Sequence, residues 1–318
     1  MATAEKEEKK KIIQAQLLDP DNLLTVEELC SIAAISRSGY YYWINSKDKR
    51  DERELNDRAA FDIILNVYKH RKFKKGSRQI YMVLRNTPNK MSLEKIRRLM
   101  RKYGLFCPIR KANPYRKMLK ATQTSTYAKN RVKRKWGDYG QRELLTTDIT
   151  YMYYGINRTK KAYLSLIRDA CTKQVLSFVL SDNLREEFVL ETVNQLIDRY
   201  GSQLSKHVII TSDQGVHYSA IEYRRKLKKY NITRSMSRRA NCWDNSPQES
   251  FFGHMKDEID ITECNRFEEL KYCINEYMNY YNNERYQWDI CKMAPNQYNK
   301  YLRKGHYIIP GKGKVKVA

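Results

Sequence analysis

The sequence predicts an α/β fold, a mixed five-stranded sheet with flanking helices, preceded by α-helical helix-turn-helix modules. Three observations predict it. From Leu144 onward, β-prone runs and amphipathic segments follow in the order βββαβαβαα. Upstream of residue 107 the apolar spacing is helical and is punctuated by caps and turn residues. Charge is also uneven: 23 basic residues stand between Lys69 and Lys135 against one acid, Glu94.

Residues 1–22 read as a charged, partly frayed lead-in. Residues 25–45 read as a helix-turn-helix. Thr25 and Glu28 form a capping-box pattern, and Val26, Leu29, Ile32 and Ala33 supply an apolar stripe. The turn falls near Ala34-Ile35-Ser36. A second helix then opens with Arg37, Ser38 and Gly39, a small basic head that suits the major groove, although a hairpin that only packs would look the same. Residues 51–72 form a helix with Leu55, Ala59, Ile63 and Val67 on one side. A second helix-turn-helix follows. Its first helix carries Ile80, Val83 and Leu84, and Thr87-Pro88-Asn89-Lys90 turns the chain. Its second helix starts near Ser92, faces Ile96, Leu99 and Met100 inward, and ends at Gly104. Arg97, Arg98, Arg101 and Lys102 lie on the other face with almost no acids, so they are assigned to phosphate contact rather than to a solvated surface. Residues 107–138 are basic, hold Pro108 and Pro114, and read as a linker that lies along DNA.

Beyond the linker, strands are expected at Leu144–Tyr153, Ala162–Arg168 and Gln174–Leu180 as an antiparallel meander, with a turn at Gly155–Arg158. A helix is expected over Leu184–Tyr200, a buried strand over Val208–Thr211, a basic helix over Ala220–Tyr230 and a short strand over Ile232–Ser235. Pro247 suits a helix start running to Ile259, and Phe267–Asn283 is a long Tyr-rich helix.

Composition bounds the partners. The chain has 318 residues, enough for two or three domains, and a formal net charge of +25. That balance favours nucleic acid or an acidic membrane surface. No apolar run approaches the roughly 18–20 residues of a membrane span, and no apolar signal core follows the charged N-terminus. A soluble, intracellular protein is expected. The seven cysteines include no CxxC, so neither a zinc site nor a disulfide framework is expected.

Asp148 closes one β-prone run, Asp213 closes another, and Glu249 opens a helical stretch 35 intervening residues later. Carboxylates brought together from separate elements can hold two divalent ions that clamp the attacking and leaving oxygens of a phosphodiester. Without cations such a cluster repels itself. Oxygen ligands in so basic a chain point to two Mg²⁺ or Mn²⁺ ions per site. Plainer roles exist for each acid: a strand-end cap for Asp148, a turn former for Asp213 and a helix-dipole acid for Glu249. Asp169, Asp244, His217 and His254 are assigned to scaffolding. No Arg/His cluster gathers around one tyrosine, so a tyrosine-nucleophile recombinase does not fit.

The order of elements, with acids on the first and fourth strands and after the fifth, resembles the ribonuclease H-like core of transposases and retroviral integrases. Thr147-Asp148-Ile149-Thr150, Ser212-Asp213-Gln214-Gly215, Ser235-Met236-Ser237-Arg238, Asn241-Cys242-Trp243-Asp244-Asn245 and Glu249-Ser250-Phe251-Phe252-Gly253 are similar to the second-reading-frame (OrfB-type) transposases of the insertion-sequence-three family. So are Tyr280-Tyr281-Asn282-Asn283-Glu284-Arg285, Ala294-Pro295-Asn296-Gln297-Tyr298, Ser36–Tyr41 and Ile96–Leu105. The chain departs from the family at Tyr286-Gln287-Trp288-Asp289-Ile290 and at Pro247-Gln248.

The resemblance implies a DDE transposase that cuts insertion-sequence ends and transfers strands, with Asp148, Asp213 and Glu249 both catalytic and metal-binding. It implies that Lys256, two turns beyond Glu249, touches DNA near the reacting end. Expected partners are double-stranded DNA (terminal inverted repeats and target), a second copy of the chain, and the first-reading-frame protein of the same element. The expected domains are an N-terminal helix-turn-helix at 1–50, a second at 51–106, a basic linker at 107–140, the catalytic domain at 141–300 and a basic tail at 301–318. The competing readings are a catalytically silent, domesticated DNA-binding regulator and a ribonuclease H-like nuclease. The intact acidic triad argues against the first, and the two upstream modules argue against the second.

Overall fold

The computed structural model describes residues 2–107, 130–132, 135–237, 246–304, 307–309 and 313–315. Most of the expected linker, and the segment holding Asn241–Asn245, lie outside the described residues. The chain divides into two units, Met1–Ile63 and Ile64–Ala318.

In the first unit the expected lead-in is instead a helix, α1 (Ala2–Leu17). Ile13 explains it: this apolar residue among charges is 2% exposed and packs with Leu29, Cys30, Tyr40 and Trp43. The expected helix-turn-helix follows as α2 (Val26–Ile32) and α3 (Arg37–Asn45). The Thr25 hydroxyl accepts from the Glu28 amide while the Glu28 carboxylate accepts from the Thr25 amide, so the capping box forms. The bonds that the Thr25 amide and then the Thr25 hydroxyl donate to the Glu28 carboxylate lower its pKa. Ala34, at φ 54°, reverses the chain between the two helices. Ile32 does not join the stripe and is exposed, because Leu29 and Cys30 fill the core. α4 (Lys47–Lys69) begins earlier than expected and buries Ala60, Phe61 and Ile64, leaving Leu55 exposed. Of the expected Leu55–Ala59–Ile63–Val67 row, Ala59 is exposed as well and Ile63 and Val67 are half-buried; the core side runs one residue further on, through Ala60 and Ile64.

The second unit begins within α4 and continues with α5 (Ser77–Leu84) and α6 (Leu93–Lys102). Ile80, Met82 and Leu84 pack inward, with Met82 taking the place expected of Val83, and Ile96, Leu99 and Met100 are buried as the pattern requires. Gly104, at φ 66°, closes α6 with the Leu105 amide donating to the Met100 carbonyl at 2.8 Å, a Schellman ending that a side chain would strain.

The sheet comprises β1 (Leu144–Tyr154), β2 (Lys160–Asp169), β3 (Val175–Ser181), β4 (Ile209–Ser212) and β5 (Thr233–Met236), in spatial order β3-β2-β1-β4-β5. β1, β2 and β3 form the expected antiparallel meander; β4 runs parallel to β1, and β5 runs parallel to β4. Alternating side chains feed two cores. Leu145, Ile167 and Ile210 pack on one side with α7 (Glu186–Tyr200), α8 (Val216–Ser219) and α9 (Ile221–Lys229). Met152, Leu164 and Leu166 pack on the other with α10 (Ser246–Glu258) and α11 (Phe267–Asn283). α12 (Pro295–Lys304) follows, and β6 (Tyr307–Ile309) pairs antiparallel with β7 (Gly313–Val315) in the segment expected to be a plain basic tail. No helix among the described residues is long and apolar enough to cross a membrane.

Candidate active site

β1 and β4 position the first two acids. Their parallel register pairs Leu144 with Ile209, Leu145 with Ile210 and Thr146 with Thr211. The observed pairs stop at Thr146 and Thr211; extending the register by two residues would bring Asp148 level with Asp213, just past the end of β4. Asp148 lies inside an 11-residue strand rather than at its end, while Asp213 follows β4 directly. Asp148 is 8% exposed, and its Oδ1 accepts from the Ile149 amide at 2.8 Å. Asp213 is half-buried, and its Oδ1 accepts from the Gly215 amide at 2.9 Å.

Tyr218 of α8 ties the pair to the sheet's other face. It is 1% exposed, and its hydroxyl lies 3.4 Å from the Thr147 hydroxyl. Burial raises its pKa well above the ordinary tyrosine value, and the charges of Asp148 and Asp213 raise it further, so both carboxylates act on this one hydroxyl.

Glu249 sits half-buried in the first turn of α10, which is docked along the face of β1 that carries Asp148. The Thr146 hydroxyl donates to Gln248 Oε1 at 2.9 Å, and Arg168 Nη2 donates to the Pro247 carbonyl at 2.7 Å. One helical span further on, Lys256 Nζ donates to the Thr150 hydroxyl and the Tyr151 carbonyl, each at 2.6 Å. Eight helical residues and four strand residues both cover roughly 12–13 Å. Helix and strand therefore keep step, with Asp148 midway between the two anchors. Pro247 and Gln248, which depart from the family pattern, are the helix-side half of the first anchor. Among the described residues, no three His, Cys, Asp or Glu side chains gather closely enough to hold a metal ion. The structure thus places Asp148 on β1, Asp213 directly after the neighbouring β4 and Glu249 on the helix docked against β1, and it does not gather the three into one cluster.

The expected DNA contacts fall on exposed surface, with one exception. Arg97, Arg98, Arg101 and Lys102 are exposed on α6. Arg37 and Ser38 are exposed at the head of α3, where Arg37 Nη1 pairs with Glu27 Oε2 at 3.2 Å. Lys256 is the exception: its ammonium is engaged on β1. Asp169 is fully buried and accepts from the Thr172 hydroxyl at 2.6 Å and from the Arg142 amide at 3.3 Å, a structural role. His217 Nε2 lies 3.1 Å from the Leu184 carbonyl. Burial, and then the charge of Arg285, lower the pKa of His254. Asp244 lies outside the described residues. Sequence reasoning missed Thr146, Arg168, Gln248 and Tyr218. The signal for the first was available in the i, i+2 spacing of Thr146, Asp148 and Thr150 on one strand face.

Residues 138–242 and 249–301 match family models for an integrase core domain, and residues 54–113 match one for an HTH-like domain. The chain is similar to the putative transposase InsK for insertion sequence element IS150 of Escherichia coli (strain K12). That match is 30% identical over 277 residues, covering 86% of this chain and 93% of the relative. It is also similar to transposase InsF for insertion sequence IS3A of the same organism, 23% identical over 237 residues, covering 74% of this chain and 79% of the relative. Among solved structures, an HTLV-2 integrase catalytic core domain in complex with magnesium aligns over 50% of this chain and 96% of its own, at 15% identity and a TM-score of 0.36.

Proposed function

The chain belongs to the insertion-sequence-three family of transposases, and on that premise we propose that Asp148, Asp213 and Glu249 are the acids through which it cuts and joins DNA. It is a DDE transposase, a polynucleotidyl transferase with an integrase core and an HTH-like domain. The observation that carries the assignment is the parallel register of β1 and β4, which supports Asp148 and Asp213 as a pair.

The donor set fits a hard divalent cation, because the paired groups are carboxylates and no thiol or imidazole stands with them in this reading. Two Mg²⁺ or Mn²⁺ ions, when bound, would supply activation of the attacking oxygen and neutralisation of the leaving one. The protein's own share is positioning, since phosphoryl transfer needs oriented groups more than a protein nucleophile. Asp148 is held by an inner strand. Asp213 is held by its turn through the Gly215 amide. Glu249 rides on a helix start anchored by Thr146 and Arg168.

The DNA is double-stranded: the element's terminal repeats and a target. Arg97, Arg98, Arg101 and Lys102 meet its phosphates, and Arg37 and Ser38 reach base edges. Lys256 reaches the reacting end only by giving up its bonds to β1. Two ends must be held together, so the working form has at least two copies, and the first-reading-frame protein of the element is a further partner. The protein works in the bacterial cytoplasm, at the nucleoid.

The test is substitution of each acid. Asp148→Asn, Asp213→Asn and Glu249→Gln should each reduce Mg²⁺-dependent cleavage and joining by at least about a thousand-fold, since each removes transition-state charge stabilisation. Thermal melting and DNA affinity should stay near wild type. Near-normal strand transfer by any one variant removes that residue from the site.

A further inference from the structure

Glu258 ends α10, the helix that carries Glu249, and is 6% exposed. Its partners come from several other elements. Arg285 Nε donates to Oε2 at 2.8 Å, with Arg285 Nη2 on Oε1 beside it. The Tyr277 hydroxyl of α11 donates to Oε2 at 3.0 Å. Gln79 Nε2 of α5 donates to Oε1 at 3.1 Å, and the Lys74 amide just before α5 donates to the Glu258 carbonyl at 3.0 Å. Burial lowers the pKa of Arg285, but the charge and hydrogen bonds of Glu258 outweigh it and hold the guanidinium above its ordinary value. A buried carboxylate with this many partners is stiff, because moving it strands the Arg285 charge or a buried donor.

A second seat for α5 lies on the segment that departs from the family pattern. Trp288 has the Arg78 guanidinium 5.7 Å and the Lys292 ammonium 4.6 Å from its ring centre, with the Tyr81 ring at 6.1 Å. Arg85 Nη2 also reaches the Lys292 carbonyl at 3.4 Å. Helix α5 is therefore held to the catalytic domain at two separate places, and α6 packs on α5. Glu249 and Glu258 stand nine residues apart on one rigid helix, about 13 Å along its axis.

We infer that Gln79, Glu258 and Trp288 are positioning residues that fix the distance from α6 to the acids, so that where α6 seats on DNA determines which phosphodiester is cut. This rests on the acids being those proposed above. Loosening the seats should blur the cut position, not the chemistry.

The experiment uses the full chain and a labelled duplex of the DNA that borders this gene, with cut positions read at single-nucleotide resolution. Gln79→Ala combined with Trp288→Ala leaves the Glu258–Arg285 pair and the acids in place. We expect the wild type to cut at one phosphate and the double variant to spread cuts over two or more neighbouring phosphates. Joining of a pre-cut end at saturating DNA should stay within about three-fold of wild type. If the double variant loses its cooperative melt, Gln79→Ala alone carries the same test. A single unchanged cut position overturns the inference, as does an equal loss of cutting and of pre-cut joining. Failure of the acid assignment looks different, since an active Asp148→Asn variant would still cut.

Discussion

At the scale of single residues, Gly215 shows why a glycine stands beside Asp213. Its φ of −60° is open to any residue, so backbone freedom is not the reason. A Cβ there would lie 2.9 Å from Asp213 Oδ1 and 3.6 Å from Tyr218 Cδ2. The carboxylate would have to move while the Gly215 amide that holds it remained. Gly215→Ala should therefore raise the Mg²⁺ concentration for half-maximal cleavage by about ten-fold or more, the usual scale for disturbing the groups that orient a metal ligand. Melting should shift little. A titration of cleavage against Mg²⁺ checks this, and an unchanged midpoint would mean that the carboxylate tolerates the methyl. The strands and helix that carry the three acids were legible in the sequence, although Asp148 lies inside its strand rather than closing it. Their surroundings were not: Tyr218 meets Thr147 from 71 positions away in the chain, and no local pattern encodes that meeting.

At the scale of elements, α6 is a helix with two faces of opposite chemistry. Ile96, Leu99 and Met100 are buried, while Arg97, Arg98, Arg101 and Lys102 face solvent. Each lysine or arginine that replaces a condensed counterion contributes about 0.9 to the slope of log affinity against log salt. Changing all four to glutamine should flatten that slope by roughly 2 to 4 and weaken binding at low salt, with little change in melting. Filter binding or anisotropy from 50 to 300 mM salt (roughly the range over which counterion release is read) measures it. A slope that stays put would take α6 off the phosphates. Element bounds near strong caps were readable: Thr25 and Glu28, Ser92, and Gly104 all act where their chemistry says. Helix α1 was not, because Ile13, buried among its described residues, shares a core with Leu29 and Cys30 of α2 and Tyr40 and Trp43 of α3.

At the scale of the whole molecule, the charge of +25 and the helical modules upstream suit a protein that spends its working life on DNA. Joining two ends requires both in one complex. Mass photometry of the protein on duplexes of its bordering DNA should show at least two chains per pair of ends, in the presence of Ca²⁺ to hold back cutting. A complex of one chain with two joined ends would exclude the shared arrangement.

What the sequence determined by itself was the inventory: three acids in order, an alternation of strands and helices, two basic helical modules and a surplus of positive charge. Those follow from local rules, since capping, turn chemistry and the two periodicities act over a few residues. Only the tertiary structure decided who stands beside whom. The parallel pairing set β1 beside β4, the Thr146 and Lys256 contacts laid α10 along β1, and Glu258 gathered Gln79, Tyr277 and Arg285 around one carboxylate. Such contacts join residues tens to hundreds of positions apart. They are fixed by the packing of whole faces and by the cost of leaving a buried polar group unpaired, neither of which any short stretch of chain contains.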